Sequence, residues 1–263
     1  SWNALMIHAM ARAGRAFGRQ DWIDSARRAL DFVRTQLWRK RRLLATYKDG
    51  KGHLNAYLDD HVFLLAALLE MMQTHYRAED MQMARELADA VLDRFEDRAS
   101  GGFFFTSSDH EQLIHRPKPG PDNATPSGNG VAALMLQRLG HLIGEPRYLE
   151  SAERALRLFF PEMQRHASAY ASLCAALSEY IDPAAVAILR GNDTLLDDFL
   201  RALAKHYFPA TVAIALPDAQ AGLPVAMNKP QRPGVNAWVC RGVNCLPPIQ
   251  DPAELAKILA NGK

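Results

Sequence analysis

One pattern recurs three times along this chain: a nearly all-apolar helix, a short turn, then an amphipathic helix built on a common template. The second helices of the three pairs open Trp22-Ile-Asp-Ser-Ala26, Asp80-Met-Gln-Met-Ala84 and Tyr148-Leu-Glu-Ser-Ala152. Their aligned alanines lie 58 and then 68 residues apart. A repeat of this length marks an array of helical hairpins, none of which can bury its own apolar face alone.

The periodicity predicts helices over 2–17, 22–38, 81–95, 130–143, 148–160 and, shorter, 168–179, with one more following Leu58-Asp-Asp60. The body of that last helix, 62–72, holds one charge, Glu70, so it must be covered on all sides. Residues Arg85, Glu86, Asp89 and Asp93, by contrast, mark a wet face on the helix that follows. Alternating buried and half-buried helices imply two concentric layers, the pattern of an (α/α) toroid. A flat solenoid would make both helices of a pair more alike.

Turns inside the hairpins are short, whereas the connections between them, 39–58 and 97–126, are long. Both long connections read as β-hairpin insertions. The first sets 43–47 and 53–57 around Lys48-Asp-Gly-Lys-Gly52, and the second sets 101–106 and 112–116 around Ser107-Ser-Asp-His110. After Pro183 the pattern changes to strand 185–189, helix 194–206, strand 211–215, a Pro/Gly-rich loop, a third strand at 237–240 and a closing helix at 252–259. The expected fold class is mainly α: part of an (α/α)6 toroid over 1–181, with a small α/β module over 182–263.

Composition excludes several functions. Lys+Arg 31 against Asp+Glu 29 leaves a formal charge of +2, with no long basic run to hold nucleic acid. The apolar run 62–69 is too short to span a bilayer, and the opening residues are not a signal peptide. Three cysteines cannot form a disulfide framework, so a reducing, cytoplasmic setting is the expectation. Cys240 and Cys245 lack the spacing of a thioredoxin-type redox pair and the further ligands zinc needs; a disulfide and free thiols both remain open. No P-loop, dinucleotide fingerprint or Ser-His-Asp motif is present, and neither metal nor cofactor is expected.

Two polar clusters carry the candidate chemistry. One is Arg116-Pro-Lys118 followed by Asp122-Asn-Ala-Thr-Pro-Ser127-Gly-Asn129; the other is Tyr57-Leu-Asp59-Asp60-His61. Each enters an apolar helix from a long connection. Ser127 can cap its helix, and adjacent carboxylates can serve the dipole of theirs, so loop-and-cap is one reading of both. The other is a ligand site at one rim of the toroid. There Asp59, Asp60 and Asp122 would be acid/base candidates, and Tyr57, His61, Arg116, Lys118, Ser127 and Asn129 would hold a hydroxyl-rich or anionic ligand. Glu70 calls for a structural partner such as an arginine. His8 and His141 read as core or edge histidines, and Phe103, Phe104 and Phe105 as end packing or a sugar-stacking surface.

These motifs resemble a known family. Trp2-Asn-Ala-Leu-Met-Ile, Leu58-Asp-Asp-His, Gly101-Gly-Phe-Phe, Arg116-Pro-Lys, Pro126-Ser-Gly-Asn and Val239-Cys-Arg-Gly-Val-Asn-Cys look like the YyaL/spermatogenesis-associated thioredoxin-domain family, in that order and across nearly the whole chain. The resemblance implies a six-hairpin toroid similar to N-acylglucosamine 2-epimerases and six-hairpin glycosidases, following an N-terminal thioredoxin-like domain. It implies that this chain starts partway through the toroid, and that the missing N-terminal portion of the same protein packs on it. The functional expectation is a toroid that binds or processes a carbohydrate-like small molecule. The alternative is a non-catalytic interaction scaffold serving a redox domain.

Overall fold

A computed structural model describes residues 1–111 and 114–261. Three helical hairpins follow one another: α1 (Trp2–Phe17) with α2 (Gln20–Phe32), α3 (Leu58–Thr74) with α4 (Ala78–Arg94), and α5 (Gly128–Ile143) with α6 (Pro146–Arg165). A further helix, α7 (Ala171–Ile181), packs on α5. Helices α1, α3, α5 and α7 stand side by side as an inner layer, and α2, α4 and α6 each lie outside their own partner. The architecture is an arc of an (α/α) toroid.

The layers follow from the side chains. Nearly every residue of α3 is buried, as its uniform apolarity requires, whereas α2 buries little more than Ala26 and Leu30. Outer helices are tied to one another through charge. Asp80 of α4 is fully buried between Arg27 of α2, at 2.5 Å, and Arg34 of the turn that follows α2. A carboxylate so placed is tolerated only with such partners.

Some boundaries differ from the expected ones. The second helix gives way at Val33 to a π-helical turn, because Trp38 and Arg39 are drawn into a strand, β1, paired with β2 (Arg42–Lys48). β2 then pairs antiparallel with β3 (Lys51–Asn55) through a two-residue Asp49-Gly50 turn with both φ angles positive, the Asp-Gly signature of a tight hairpin. The sixth helix runs past Phe160 to Arg165, carrying Pro161 within it.

The second expected hairpin does not form as a strand pair among the described residues; Gln112 and Leu113, part of its second arm, lie outside them. Its first arm makes one isolated bridge, between Glu96 and Phe103. The Phe103 N–H is taken by Asn129 Oδ1 at 2.7 Å, and the Phe105 N–H by the Pro117 carbonyl at 2.9 Å. The backbone groups that a partner strand would need are spent on the start of α5 and on the loop leading to it.

Beyond α7, β4 (Ala185–Gly191), α8 (Asp193–Leu203) and β5 (Thr211–Pro217) form a strand–helix–strand unit with parallel strands. β6 (Asn236–Arg241) pairs antiparallel with β4, short β7 (Asn244–Cys245) extends the edge, and α9 (Pro252–Asn261) closes the chain. Cys240 and Cys245 face each other across β6 and β7 and are joined as a disulfide, which decides between the two states the sequence left open. Alternate strand residues face opposite ways. Val186, Ile188, Val212 and Ile214 join the helical core, whereas Ala185, Ala187 and Leu189 pack with Phe199 of α8 and Leu255 of α9. Gln73 of α3 accepts the Ala213 N–H at 3.1 Å, fixing the sheet to the inner layer. Among the described residues, no helix is long and apolar enough to cross a membrane.

Candidate ligand-binding concavity

Because every hairpin reverses direction, the inner helices run parallel and begin at one end of the arc. Both polar clusters lie at that end, packed between helix starts. Asp60 Oδ2 accepts the Tyr57 N–H at 2.8 Å, closing the first turn of α3, and its Oδ1 meets the Ser1 amino group at 2.6 Å. Asp122 accepts the N–H groups of Ser127 and Ser172, each at 2.8 Å, and the Ser172 hydroxyl. It thereby ties the start of α5 to the start of α7. Close approach there depends on glycine: a Cβ at Gly130 would overlap Ser172 Oγ.

Most other candidates are committed to the protein's own backbone. Fully buried Asn129 bonds Phe103 on both its N–H and its carbonyl and also reaches the Pro119 carbonyl. Ser127 Oγ accepts the Gly130 N–H as helix cap, as the sequence suggested. Arg116 donates to the Thr106 carbonyl at 2.7 Å and lies over the Phe104 ring, while Lys118 pairs with Asp97 at 2.8 Å. Tyr57 stacks on Phe105 with centroids 4.8 Å apart, so this aromatic run packs the end of the arc. His61 is buried, with Nδ1 on the Tyr57 carbonyl at 2.8 Å; burial pushes its pKa down to about 4, so it is neutral.

Asp59 stands apart. It is partly exposed in the first turn of α3, and no described donor bonds its carboxylate. Its Oδ1 sits where a Cβ on Gly128 would have to be, so the two polar clusters meet here. Burial, and then the neighbouring Asp60 charge, raise its pKa to about 6.

One helix face leads inward from Asp59, through Phe63 and Ala66 to Glu70, since residues three and four apart stack along a helix. Phe63 and Ala66 line a concavity of about 470 Å³, between Leu5, His8 and Arg12 of α1 and Val131 and Arg138 of α5. It is the inner face of the arc. Its wall is apolar near the helix starts and polar deeper in. Glu70 accepts from Arg15 at 2.5 Å, the structural arginine partner expected for it, and lies 3.8 Å from His8 Nε2. Burial lowers the His8 pKa; Glu70 opposes this, and Arg12, Arg138 and Arg15 reinforce it. Arg138 grips Glu179 with two donors and reaches the Pro209 carbonyl at 2.8 Å.

Arg12, Arg138 and Glu179 sit on three different helices, and no motif links them in advance. Only the spacing of His8, Arg12 and Arg15 along one face of α1 hinted at a shared orientation. No group of three or more metal-ligating side chains is gathered among the described residues.

No protein-family model matches this chain. It is similar to human spermatogenesis-associated protein 20, 27% identical across 98% of this chain and 35% of that protein. The rat protein of the same name is 26% identical over the same shares. Uncharacterized protein B0495.5 of Caenorhabditis elegans is 22% identical across 98% of this chain and 37% of its own length. The resemblance drawn from the motifs therefore holds along nearly the whole chain, which spans about a third of the length of these relatives. Among solved structures, the cellobiose 2-epimerase of Spirochaeta thermophila DSM 6192 superposes with a TM-score of 0.48 at 20% identity, covering 60% of this chain and 41% of that one.

Proposed function

We propose that the inner face of this helical arc binds a small, hydroxyl-rich, carbohydrate-like molecule, with Asp59 as its acid/base group. The observation that carries the reading is one helix face on which an unpartnered carboxyl, Asp59, lies one turn before Phe63, a residue of the concavity's apolar wall. A sugar presents apolar ring faces and hydroxyl edges, and such a wall with few polar groups suits both. A carboxyl with a pKa near 6 changes its protonation state close to neutral pH, as a general acid or base requires. Asp60 and Asp122 then serve by holding helix starts, and Arg116, Lys118 and Asn129 by shaping the rim.

A panel of mono- and disaccharides titrated calorimetrically into the protein tests this. Binding is expected, and Asp59→Asn should weaken it. Exchange of sugar C–H for deuterium in heavy water should be lost in Asp59→Asn. If no saccharide in the panel binds, the reading fails.

One observation favours a second reading, an interaction scaffold. Helix α1 leaves Trp2, Met6 and Phe17 exposed, and further chain of the same protein, as in the longer relatives, would cover them. On this reading Asp59→Asn leaves function intact, whereas Met6→Lys with Phe17→Lys abolishes it.

A further inference from the structure

We propose that the deep end of the concavity is an anion-binding subsite built on Arg12, so that the ligand is a hydroxylated molecule bearing one carboxylate or phosphate group. This rests on the reading that the concavity takes a polar ligand, and it adds the ligand's charge and orientation.

The charged residues lining the far end, Arg12, Arg138 and Glu179, leave one charge uncancelled. Arg138 is matched by Glu179 and also held by the Pro209 carbonyl. His8, half-buried beside Arg12, is held toward its neutral form by burial. Arg12 has no carboxylate partner among the described residues; its guanidinium lies over the Tyr207 ring, 5.4 Å from the centroid. Stacking occupies one face of the guanidinium and leaves the donors around its edge free. The cavity thus carries one uncompensated positive charge, in walls whose apolar surface raises its reach.

Inside the protein this charge has no carboxylate partner, and an anionic ligand group supplies one. Orientation follows from the other end. Asp59 repels an anion, so the charged group seats at Arg12 and the hydroxyl-bearing carbons face Asp59. From Leu5 to Arg12 is about 10 Å of helix, so the two groups address opposite ends of one ligand.

Glucose, glucuronate, glucose 6-phosphate and inorganic phosphate are titrated separately into the wild-type chain, Arg12→Gln and, as a surface control, Arg165→Gln. The expected result is that at least one of the two charged sugars binds about tenfold or more tightly than glucose, that Arg12→Gln brings it down to the level of glucose, and that Arg165→Gln changes nothing. Whether glucuronate or glucose 6-phosphate binds better identifies the group as carboxylate or phosphate. Equal affinity for all three sugars, or a preference surviving in Arg12→Gln, overturns the subsite and leaves the proposed function standing. If no sugar binds, the proposed function falls, and phosphate decides the subsite alone: binding lost in Arg12→Gln upholds it, and no binding overturns it.

Discussion

Asp59 and His61 are two residues apart on one turn of α3, yet their titrations pull stability in opposite directions. Asp59 has a folded pKa of about 6 against an ordinary 3.8. The folded state therefore holds this proton more tightly than the unfolded chain, and stability falls as pH rises from about 4 to 6. The cost is fully present at pH 7, at about 1–2 kcal/mol once solvent screening of a partly exposed group is allowed for. Asp59→Asn should raise Tm by about 2–6 °C at pH 7 and by nothing near pH 3.5. A thermal series across that range checks it, and an unchanged Tm at pH 7 would show that the carboxyl is well solvated. His61 is depressed from 6.5 to about 4 by burial, so the unfolded chain takes up a proton that the folded chain refuses. Its contribution is present above pH 6.5 and is lost as pH falls toward 4. His61→Gln should therefore flatten the acid side of the stability profile, measured by urea unfolding at pH 7 and pH 5.

At the scale of elements, the arc is held at one end by side chains that bond helix starts to each other. Asp122 makes the clearest such link, joining Ser127 before α5 to Ser172 in the first turn of α7. Removing it strands two backbone N–H groups, at about 2–4 kcal/mol for bonds to a charged acceptor. Asp122→Ala should lower the urea midpoint accordingly, Asp122→Asn about half as much, and Ser172→Ala by about 1 kcal/mol. Equal losses for Ala and Asn would mean that shape rather than hydrogen bonding is at work. The same links explain what could be read in advance. The hairpins, the Asp49-Gly50 turn and the strand–helix–strand unit depend on local periodicity and turn chemistry, which neighbouring residues encode. The failed hairpin at 101–106 depends on Asn129, a residue 26 positions from Phe103, whose amide replaces a partner strand. The polar clusters were legible as clusters. That most of their members are turned inward on backbone was not, because hydrogen bonds over such separations leave no spacing pattern in the sequence. Arg12, Arg138 and Glu179 escaped for the same reason: each is one charged residue on its own helix until the arc brings the three together.

The whole molecule carries little net charge, +2, so its behaviour in solution is governed by apolar surface. Positions 2, 6 and 17 of α1 fall within one narrow angular sector of the helix, and their side chains, Trp2, Met6 and Phe17, are 81%, 59% and 74% exposed. Ala9 and Ala16 are exposed on the same helix, so no charge interrupts the stripe. A continuous apolar stripe on a helix with nothing covering it associates with like surfaces, since burying one large side chain contributes roughly 1.5–3 kcal/mol. This chain on its own should therefore show a weight-average mass that rises with concentration in sedimentation velocity. Met6→Gln with Phe17→Gln should suppress that rise without moving Tm by more than about 1–2 °C, because neither side chain belongs to the core. The concavity offers an internal control. It is lined by a different face of α1, about a third of a turn around the helix from the stripe, through Leu5, His8 and Arg12. Saccharide affinity should be unchanged in the double variant if stripe and concavity act separately, and weakened if association of the stripe is what holds α1 in place.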